Sequence, residues 1–411
     1  MRKWLKRILM SLAVILVIGY VGACVWLRAN ETRIAFNRRL PYVPPWPSLV
    51  LNEQRVEFAE LGGTKVFAWL VPSLPADAGN LWLLFFHGTG DNVSLSANAY
   101  DQFRSMGFNV MAPEYPGYAG SPGEPSEEVI EWEARAAYDY LRKEKHAPAK
   151  NIVLFGASLG SAVAIDLASH VDAGGLIVGS GFSSAIAIGQ KMFPFLPMRL
   201  LLRARFESDK KIGLVKMPVL VIHSVDDRRI PLAENGQKLY DLARSPKRLV
   251  KIHGEHGEGV THATVNPGFF ADIVTFLNEQ AGFQLRRPLP SIAPEISAAI
   301  KRDGIEAAVD RYRALRRDTP ARYNFREPEL DHLGQDLLDK KRNDEAIAIF
   351  RLNAEMFPQS FRAFDSLADA YAASGKAEEA GQSYRRSLVL IPEDGEYIRA
   401  KLEHLHQAPG S

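Results

Sequence analysis

Two kinds of hydrophobic pattern alternate through the middle of the chain. Continuous apolar runs such as LWLLFF, residues 81–86, are typical of strands buried on both faces. Between them lie longer segments whose apolar positions recur at helical spacing. Repeated β-α units of this size predict an α/β fold, with a parallel sheet covered by helices on both faces. Strands are predicted at residues 81–86, 108–112, 152–155, 176–178, 219–223 and 249–252, and helices at 94–106, 126–145, 158–170, 232–243 and 267–280.

The chain begins with an apolar segment long enough to cross a membrane. Residues 8–27 carry no charge and follow the basic sequence MRKWLKR, which places the N-terminus in the cytoplasm and the rest on the exported, periplasmic or extracellular side. Arg28 and Arg33 weigh against this orientation. Two alternatives are lipidation of Cys24, which ends a lipoprotein-like VGAC sequence, and ordinary signal cleavage at the same small residues. The apolar run continues to Leu27, which favours an uncut anchor.

The last part of the chain is helical and repeats every thirty-four residues. A degenerate copy at residues 296–320 precedes two clearer ones, and together they resemble tetratricopeptide repeats. Stacked helical hairpins form a concave surface that usually binds a peptide or protein partner. The equally weighted alternative is a module that packs on the rest of the chain or dimerises it. The repeated positions are Leu333, Gly334, Leu337, Ala346, Phe350 and Pro358, which recur as Leu367, Ala368, Tyr371, Ala380, Tyr384 and Pro392.

These patterns divide the chain into five parts. We expect a membrane anchor, a proline-rich linker, an α/β domain that opens with a hairpin turning at Gly62-Gly63, a second linker, and helical repeats. Their predicted bounds are residues 1–28, 29–54, 55–283, 284–294 and 295–408, respectively.

The composition of the chain argues against several classes of function. A net charge of +2 argues against a nucleic-acid partner. The single cysteine, Cys24, excludes an internal disulfide framework and cysteine-based metal sites. The loop histidines His253, His256 and His262 lack the carboxylate spacing of zinc enzymes, so we predict neither a metal nor a cofactor.

The candidate chemistry centres on GASLG, residues 156–160. An apolar, strand-like run enters it and a helical pattern leaves it, which is the context of a nucleophile elbow. A serine on such a turn stands exposed at a helix N-terminus, where the dipole favours developing negative charge. We therefore predict Ser158 as a nucleophile, with the backbone N–H of Leu159 as an oxyanion donor.

Several motifs, in order, resemble the α/β-hydrolases and, within them, the Bem46-like, serine aminopeptidase S33-type group. They are FHGTG, PEYPGYAGSPGEPS, the elbow, and PVLVIHSVDDRRIP, and the resemblance covers about residues 56–276. It implies that an acid and then a base follow the serine. One departure is EYPG, residues 114–117, where relatives usually have Asp and Arg. We expect this change to affect loop anchoring more than chemistry.

The resemblance implies roles for further residues. It places the catalytic acid at Asp227, with the adjacent Asp226 as the rival, although both could simply cap the following helix. It also makes the Thr89 amide the second oxyanion donor and His87 a buttress of that loop.

Three histidines follow the last predicted strand, and the base is among them. Counting forward from the strand favours His256, whereas counting back from the closing helix favours His262. We predict His262 as the base, with His256 as the alternative and His253 as a structural side chain.

The sequence thus predicts a membrane-anchored serine hydrolase that cleaves a small acyl ester, or a thioester or amide, through an acyl-enzyme. An aminopeptidase is less favoured because no acidic pocket for a substrate amine is evident. The rival from another class is an inactive scaffold that docks protein partners through its repeats, although the complete catalytic set argues against decay. The apolar segment 185–202 either packs on the sheet or forms a short lid over the site.

Overall fold

One mixed sheet organises the α/β region of the computed structural model, which describes residues 2–36, 40–74, 79–256, 268–391 and 395–407. Its strand order is β1-β2-β4-β3-β5-β6-β7-β8; β1, β2 and β4 pair antiparallel, and the other neighbours pair parallel. The predicted α/β fold is confirmed. The strands are β1 Gln54–Leu61, β2 Thr64–Val71, β3 Trp82–Phe86, β4 Asn109–Pro113, β5 Ile152–Ala157, β6 Gly175–Gly179, β7 Val219–Ser224 and β8 Lys247–Ile252.

Helices cover both faces of this sheet, and further helices precede and follow it. The flanking helices are α2 Ala97–Met106, α3 Glu127–Lys143, α4 Leu159–His170, α8 Gly236–Leu242 and α9 Phe269–Ala281. Three short helices, α5 Ala185–Met192, α6 Met198–Leu201 and α7 Ser208–Lys211, form a small cap between β6 and β7. The tail contains α10 Ala293–Asp303, α11 Ile305–Asp318, α12 Glu327–Asp339, α13 Asn343–Met356, α14 Phe361–Ala373, α15 Ala377–Leu390 and α16 Glu396–Gln407.

The hydrophobic pattern places the core on the two faces of the sheet. Every residue of β3 and β7 is buried, as continuous apolar runs require, and separate apolar clusters fill the space under the helices on each face. Gly62 and Gly63 both adopt positive φ, 58° and 84°, which the tight turn between β1 and β2 demands. Because β3, β5, β6, β7 and β8 run parallel, their carboxyl ends share one edge of the sheet.

Helix α1, Arg2–Ala35, is long and apolar enough to cross a membrane, a test that a signal sequence would also pass. Its N-terminal two thirds are exposed. Near its C-terminus Leu27 and Phe36 are buried, and the Phe36 ring meets Phe206 of the cap region edge-on at 6.3 Å. The C-terminal end of α1 therefore packs against the cap.

The tail forms antiparallel helix pairs with a hydrophobic core of their own. The pairs are α10 with α11, α12 with α13, and α14 with α15, followed by α16. A Cβ at Gly334 of α12 would lie 2.6 Å from the Phe350 ring of α13, which explains the glycine at this position of the repeat. The helical C-terminal region is present as expected, and its identity as tetratricopeptide-type repeats stays a prediction.

The proline-rich residues 41–47, predicted as part of a linker, pack against the tail. We call residues 43–48 the strap. Its Trp46 is 7% exposed and meets the His332 ring of α12 edge-on. The Arg362 guanidinium of α14 lies 4.2 Å from the Trp46 ring centroid and donates to the carbonyl oxygens of Pro44, at 2.8 Å, and Val43, at 3.3 Å. The strap thus lies against the first helices of two successive hairpins.

Polar contacts join the end of the strap to both the tail and the α/β region. The Ser48 hydroxyl donates to the Glu327 carboxylate of α12 at 2.6 Å. Burial raises the pKa of Glu327 to about 7, although the Ser360 and Ser48 donors oppose this rise. From the other side, Arg104 of α2 donates to the Leu49 carbonyl oxygen at 2.6 Å. The strap is therefore held from both sides.

A group of three charges closes the same interface. Asp101 of α2 is 1% exposed and accepts a hydrogen bond from Arg104 at 2.9 Å. Its second oxygen pairs with Arg326, the partly exposed residue that precedes α12. A carboxylate as well buried as Asp101 is stable only when paired, so the group ties the tail to the α/β region at a defined place.

One buried carboxyl on α3 has no such partner. Glu133 is fully buried, and neither carboxyl oxygen has a hydrogen-bond partner among the described residues. Burial raises the pKa of Glu133 well above its usual value, and the nearby Glu114 charge adds to this effect. Folding therefore favours the protonated form of Glu133, whereas an unfolded chain ionises it above about pH 4.3.

Replacing Glu133 with Gln should stabilise the protein at neutral and higher pH. As pH rises from the unfolded pKa of Glu133 to its folded pKa, the unfolding free energy of the wild type falls by at most about 1.4 kcal/mol per pH unit. The amide of Gln does not titrate, so the variant avoids this loss. Denaturant unfolding of the full-length protein in detergent should show that Glu133→Gln increases the unfolding free energy, and that the increase is larger at pH 8 than at pH 5. Glu128→Gln, an exposed change on the same helix, should shift neither curve. A gain that does not grow with pH would contradict this account.

Replacing Arg362 with Ala should release the strap. The change removes two charge-assisted hydrogen bonds and the stacking on Trp46. We expect hydrogen exchange of the amides in residues 42–51 to accelerate about 10- to 100-fold, equivalent to about 1.4–2.8 kcal/mol. The matched control is Arg386→Ala, which removes an arginine that lies over the ring of Phe364 in the same tail. Equal acceleration of hydrogen exchange in both variants would mean that Arg362 does not specifically stabilise the strap.

Candidate active site

The turn between β5 and α4 places Ser158 in a conformation that few residues adopt. Its φ is 51° and its ψ is −114°, outside the regions favoured by L-residues. The surrounding backbone holds it there. The Ser158 amide donates to the Gly179 carbonyl oxygen of β6 at 2.9 Å, and the Ser158 carbonyl oxygen accepts from the amide and hydroxyl of Ser161 at 3.0 and 2.6 Å.

Two glycines make this turn possible because other backbone fills the space of their side chains. A Cβ at Gly156 would lie 2.0 Å from the Gly160 carbonyl oxygen, and a Cβ at Gly160 would lie 2.0 Å from that of Phe86. The elbow is thus pressed against the end of β3. This explains why glycines flank Ser158 at the spacing seen in the sequence.

The hydroxyl of Ser158 begins a chain of three hydrogen-bonded side chains. Its Oγ lies 2.9 Å from Nε2 of His256, and Nδ1 of His256 lies 2.6 Å from Oδ2 of Asp227. An ionised carboxylate can only accept a hydrogen bond, so Nδ1 carries the proton and Nε2 is left to accept from the serine. The arrangement has the geometry of a nucleophile, a general base and an orienting acid.

Asp227 is held in its charged form. Burial by itself would raise the pKa of Asp227, but the hydrogen bonds from His256 and from the Ile230 amide, at 2.7 Å, outweigh it and lower that pKa. A carboxylate that stays ionised fixes the tautomer and orientation of the histidine at neutral pH.

A second buried histidine, His223, supports the loop that carries the acid. Its Nε2 lies 2.7 Å from the Ile230 carbonyl oxygen and 3.8 Å from Oδ2 of Asp227. Burial lowers the pKa of His223, so the ring is neutral and donates from Nε2. Its other face packs against Gly236, where a Cβ would lie 2.5 Å from Nδ1.

The neighbouring carboxylate points elsewhere. Asp226 is exposed and accepts from Nδ1 of His253 at 2.9 Å and from the Gly254 amide at 3.2 Å. The His253 hydrogen bond comes first among the interactions that lower the pKa of Asp226. These contacts, together with a hydrogen bond from Ser224 to the Gly254 carbonyl oxygen, brace the loop on which His256 lies.

The loop after β3 approaches the elbow from the opposite side. A Cβ at Gly88 would lie 3.3 Å from both the Ala157 carbonyl oxygen and Cβ of Ser158, so the backbone leading to Thr89 runs close to the nucleophile. Leu159, the other predicted oxyanion donor, is buried at the first position of α4. Amides at a helix N-terminus suit a developing negative charge.

His87 and the EYPG sequence anchor this loop. His87 Nε2 lies 3.1 Å from Glu114, whose other oxygen accepts from the Val93 amide at 2.7 Å. Burial alone would lower the pKa of His87, but Glu114 outweighs it and the net shift is upward. Tyr115 donates its hydroxyl to the His87 carbonyl oxygen at 3.0 Å.

The structure therefore brings together Ser158, Asp227 and His256, with Thr89 and Leu159 on the adjoining backbone. It does not bring Asp226 to the histidine that faces the serine. His262, the base preferred from the sequence, lies outside the described residues, and the ring between serine and acid is that of His256. His223 was not among the residues predicted from the sequence, although a histidine near the end of the apolar strand VLVIHS offered a signal.

Comparisons with known proteins identify the family of this chain. Residues 83–374 match the model of the alpha/beta hydrolase family. The chain is 30% identical over 246 residues to Uncharacterized protein Rv2307c of Mycobacterium tuberculosis, covering 59% of this chain and 87% of that protein. It is 30% identical over 266 residues to Uncharacterized protein YfhR of Escherichia coli, covering 61% and 88%. A solved structure of the Pyrococcus furiosus esterase Pf2001 superposes with a TM-score of 0.47 and 20% identity, covering 58% of this chain and 95% of the esterase.

Substituting Gly160 with Ala should prevent the elbow from forming. The new methyl group would meet the carbonyl oxygens of Phe86 and His87 at 2.0 and 2.7 Å, and neither backbone can move without disrupting β3. We expect a loss of at least about 2–3 kcal/mol of unfolding free energy. Gly90→Ala is the control, because a Cβ there has no atom within 4 Å. Thermal unfolding with the same midpoint in both variants would contradict the tight contact.

Proposed function

Because this chain belongs to the alpha/beta hydrolase family, we propose that it is a serine hydrolase that cleaves small acyl esters through an acyl-enzyme. The observation that carries the proposal is the continuous series of hydrogen bonds from Ser158 through His256 to Asp227. Thioesters and amides are attacked by the same chemistry and stay within the proposed substrate range. Within the family, the motif order favours the Bem46-like, S33-type group.

The first half of the reaction uses each member of this series once. Ser158 Oγ attacks the carbonyl carbon of the substrate while its proton passes to Nε2 of His256. The imidazolium that forms is stabilised by the ionised Asp227. His256 then returns the proton to the leaving group as the bond to the acyl carbon breaks, leaving the acyl group on the serine. Water repeats the sequence in the second half and releases the acid.

Charge develops on the substrate oxygen during both attacks. We assign its stabilisation to the amides of Leu159 and Thr89, which approach the nucleophile from α4 and from the loop after β3. Each such donor contributes about 3–4 kcal/mol to the barrier in enzymes where it has been removed. The strained backbone of Ser158 supports this role, since the elbow turns directly into α4 and Leu159 is the first residue of that helix.

The remaining parts of the chain fit a role at a membrane. We assign α1 as an uncut anchor that places the hydrolase on the exported side. We also assign the tail as tetratricopeptide-type repeats, whose contact with the strap favours an intramolecular bracing role over the docking of a separate peptide partner.

A serine-directed fluorophosphonate tests the catalytic proposal. The full-length protein in detergent should form a stable adduct at Ser158, and Ser158→Ala should form none. His256→Ala should label about 100-fold more slowly or worse, because a general base contributes about 10²–10⁴-fold. His262→Ala should label at the wild-type rate.

His170→Ala is the control for removing a histidine from this domain, because the His170 side chain is exposed and lies at the end of α4 that is remote from Ser158. Circular dichroism of each variant should match the wild type. Absence of labelling in the folded wild type would overturn the nucleophile. Slow labelling in His262→Ala, with His256→Ala unaffected, would return the base to His262.

A further inference from the structure

The cap exposes an apolar tip beside the anchor helix. Phe195 is 87% exposed, Leu200 76% and Met192 61%, which is unusual for three large apolar side chains within one short segment. The same segment turns Met198 inward, where it is buried and packs against Gly189. The exposed side chains are therefore not an unfolded region: one side of the segment is packed on the protein and the other faces out.

Contacts with α1 fix where this tip lies along the helix. Arg28, the first charged residue after the apolar run, donates to the Leu201 carbonyl oxygen at 2.7 Å. Eight residues earlier, Tyr20 donates its hydroxyl to the Phe195 carbonyl oxygen at 3.1 Å. At 1.5 Å per residue these two contacts are about 12 Å apart along the helix axis. The tip reaches back along the apolar part of α1.

The mounting between the cap and α1 is rigid. Glu31 is buried, and its carboxylate accepts hydrogen bonds from the amides of Arg203 and Ala204 at 2.6 and 2.8 Å. The cap is joined in turn to α3, where Glu127 accepts from the Phe206 amide at 2.9 Å. The depth of the tip therefore follows from the position of α1 in the membrane.

We propose that the cap tip, residues 192–200, inserts into the outer leaflet of the membrane that α1 crosses. If Arg28 marks the surface of the hydrocarbon layer, Phe195 lies about 12 Å below it, deeper than the about 5–10 Å to which interfacial helices sink and well within one leaflet. The partner is the acyl-chain region of the leaflet. The exposed Arg199, near the end of the tip, and the exposed Arg203 and Arg205 beyond it suit the anionic headgroups above.

Insertion also deepens the proposed function, on which this step rests. The cap leaves the sheet at Gly179, the residue whose carbonyl oxygen holds the Ser158 amide. A Cβ at Gly181 would lie 2.8 Å from the hydroxyl of Ser161, one turn along α4 from the elbow. The segment that leads from the sheet to the tip thus begins beside Ser158. Acyl groups held in the leaflet are the substrate class that this placement favours.

Depth-dependent quenching tests the insertion directly. Full-length Phe195→Cys, in a Cys24→Ser background and carrying a bimane, is reconstituted in phosphatidylethanolamine and phosphatidylglycerol vesicles with nitroxides midway along the acyl chain. It should lose emission to a similar extent as Val14→Cys within α1. Val389→Cys is the matched control, because Val389 is also a highly exposed apolar residue, on α15 of the tail, and should lose none.

The outcomes separate the two claims. Quenching at Val14 without quenching at Phe195 would overturn the inserted tip and leave the anchor intact. Absence of quenching at Val14 would overturn both. Equal quenching at Phe195 and Val389 would show nonspecific association and would also overturn the tip.

Activity supplies a second readout that depends on catalysis. The double change Phe195→Asp with Leu200→Asp should lower hydrolysis of 4-methylumbelliferyl palmitate held in the same vesicles about tenfold or more. Hydrolysis of dissolved p-nitrophenyl acetate should stay at the wild-type rate, as should both activities of Val389→Asp. An equal fall on both substrates would contradict a membrane role for the tip. Failure of the wild type on both, with Ser158 unlabelled, would count against the hydrolase proposal, and the quenching result would still decide the tip.

Discussion

The close contact between the elbow and the end of β3 is the constraint on which the candidate site depends. Ser158 can keep its strained backbone only because Gly160 lets α4 start against the carbonyl oxygen of Phe86. That contact fixes Ser158 relative to the loop that follows β3, and so it sets the positions of both proposed oxyanion donors. Parallel strands then bring the acid and the histidine to the same edge of the sheet. Catalytic geometry is thus a property of the sheet's backbone more than of individual side chains.

Parts of the molecule with a strong local pattern were predictable from the sequence. The strands of the sheet are continuous apolar runs, and Ser158 lies in a short motif whose glycines are demanded by backbone contacts. The choice between His256 and His262 was not predictable in this way. A loop has no periodicity, and counting residues from either end assumes a path that only tertiary contacts such as those of Asp226 and His253 determine.

The same limit applied to the strap and to Glu114. The prolines kept residues 43–46 out of α-helix and sheet, but nothing local indicated that Trp46 would be buried against a helix nearly three hundred residues later in the chain. At EYPG, the departure from the family pattern was expected to affect loop anchoring. In the structure the Glu114 side chain bridges His87 and the Val93 amide, so it anchors the loop after β3, and Tyr115 adds a second hydrogen bond to the same loop.

The strap has a consequence for how separable the parts of this protein are. Arg362 lies over the Trp46 ring and donates a hydrogen bond to the Pro44 carbonyl oxygen, and Ser48 donates a hydrogen bond to Glu327 of the tail. A chain shortened after the sheet would keep the hydrolase core but would expose an aromatic surface beside it, and a tail from another protein would need its own matching arginine. The boundary between the two regions is therefore not a place where evolution or an engineer can exchange modules freely: residues 43–48 and the first helices of the tail have to change together.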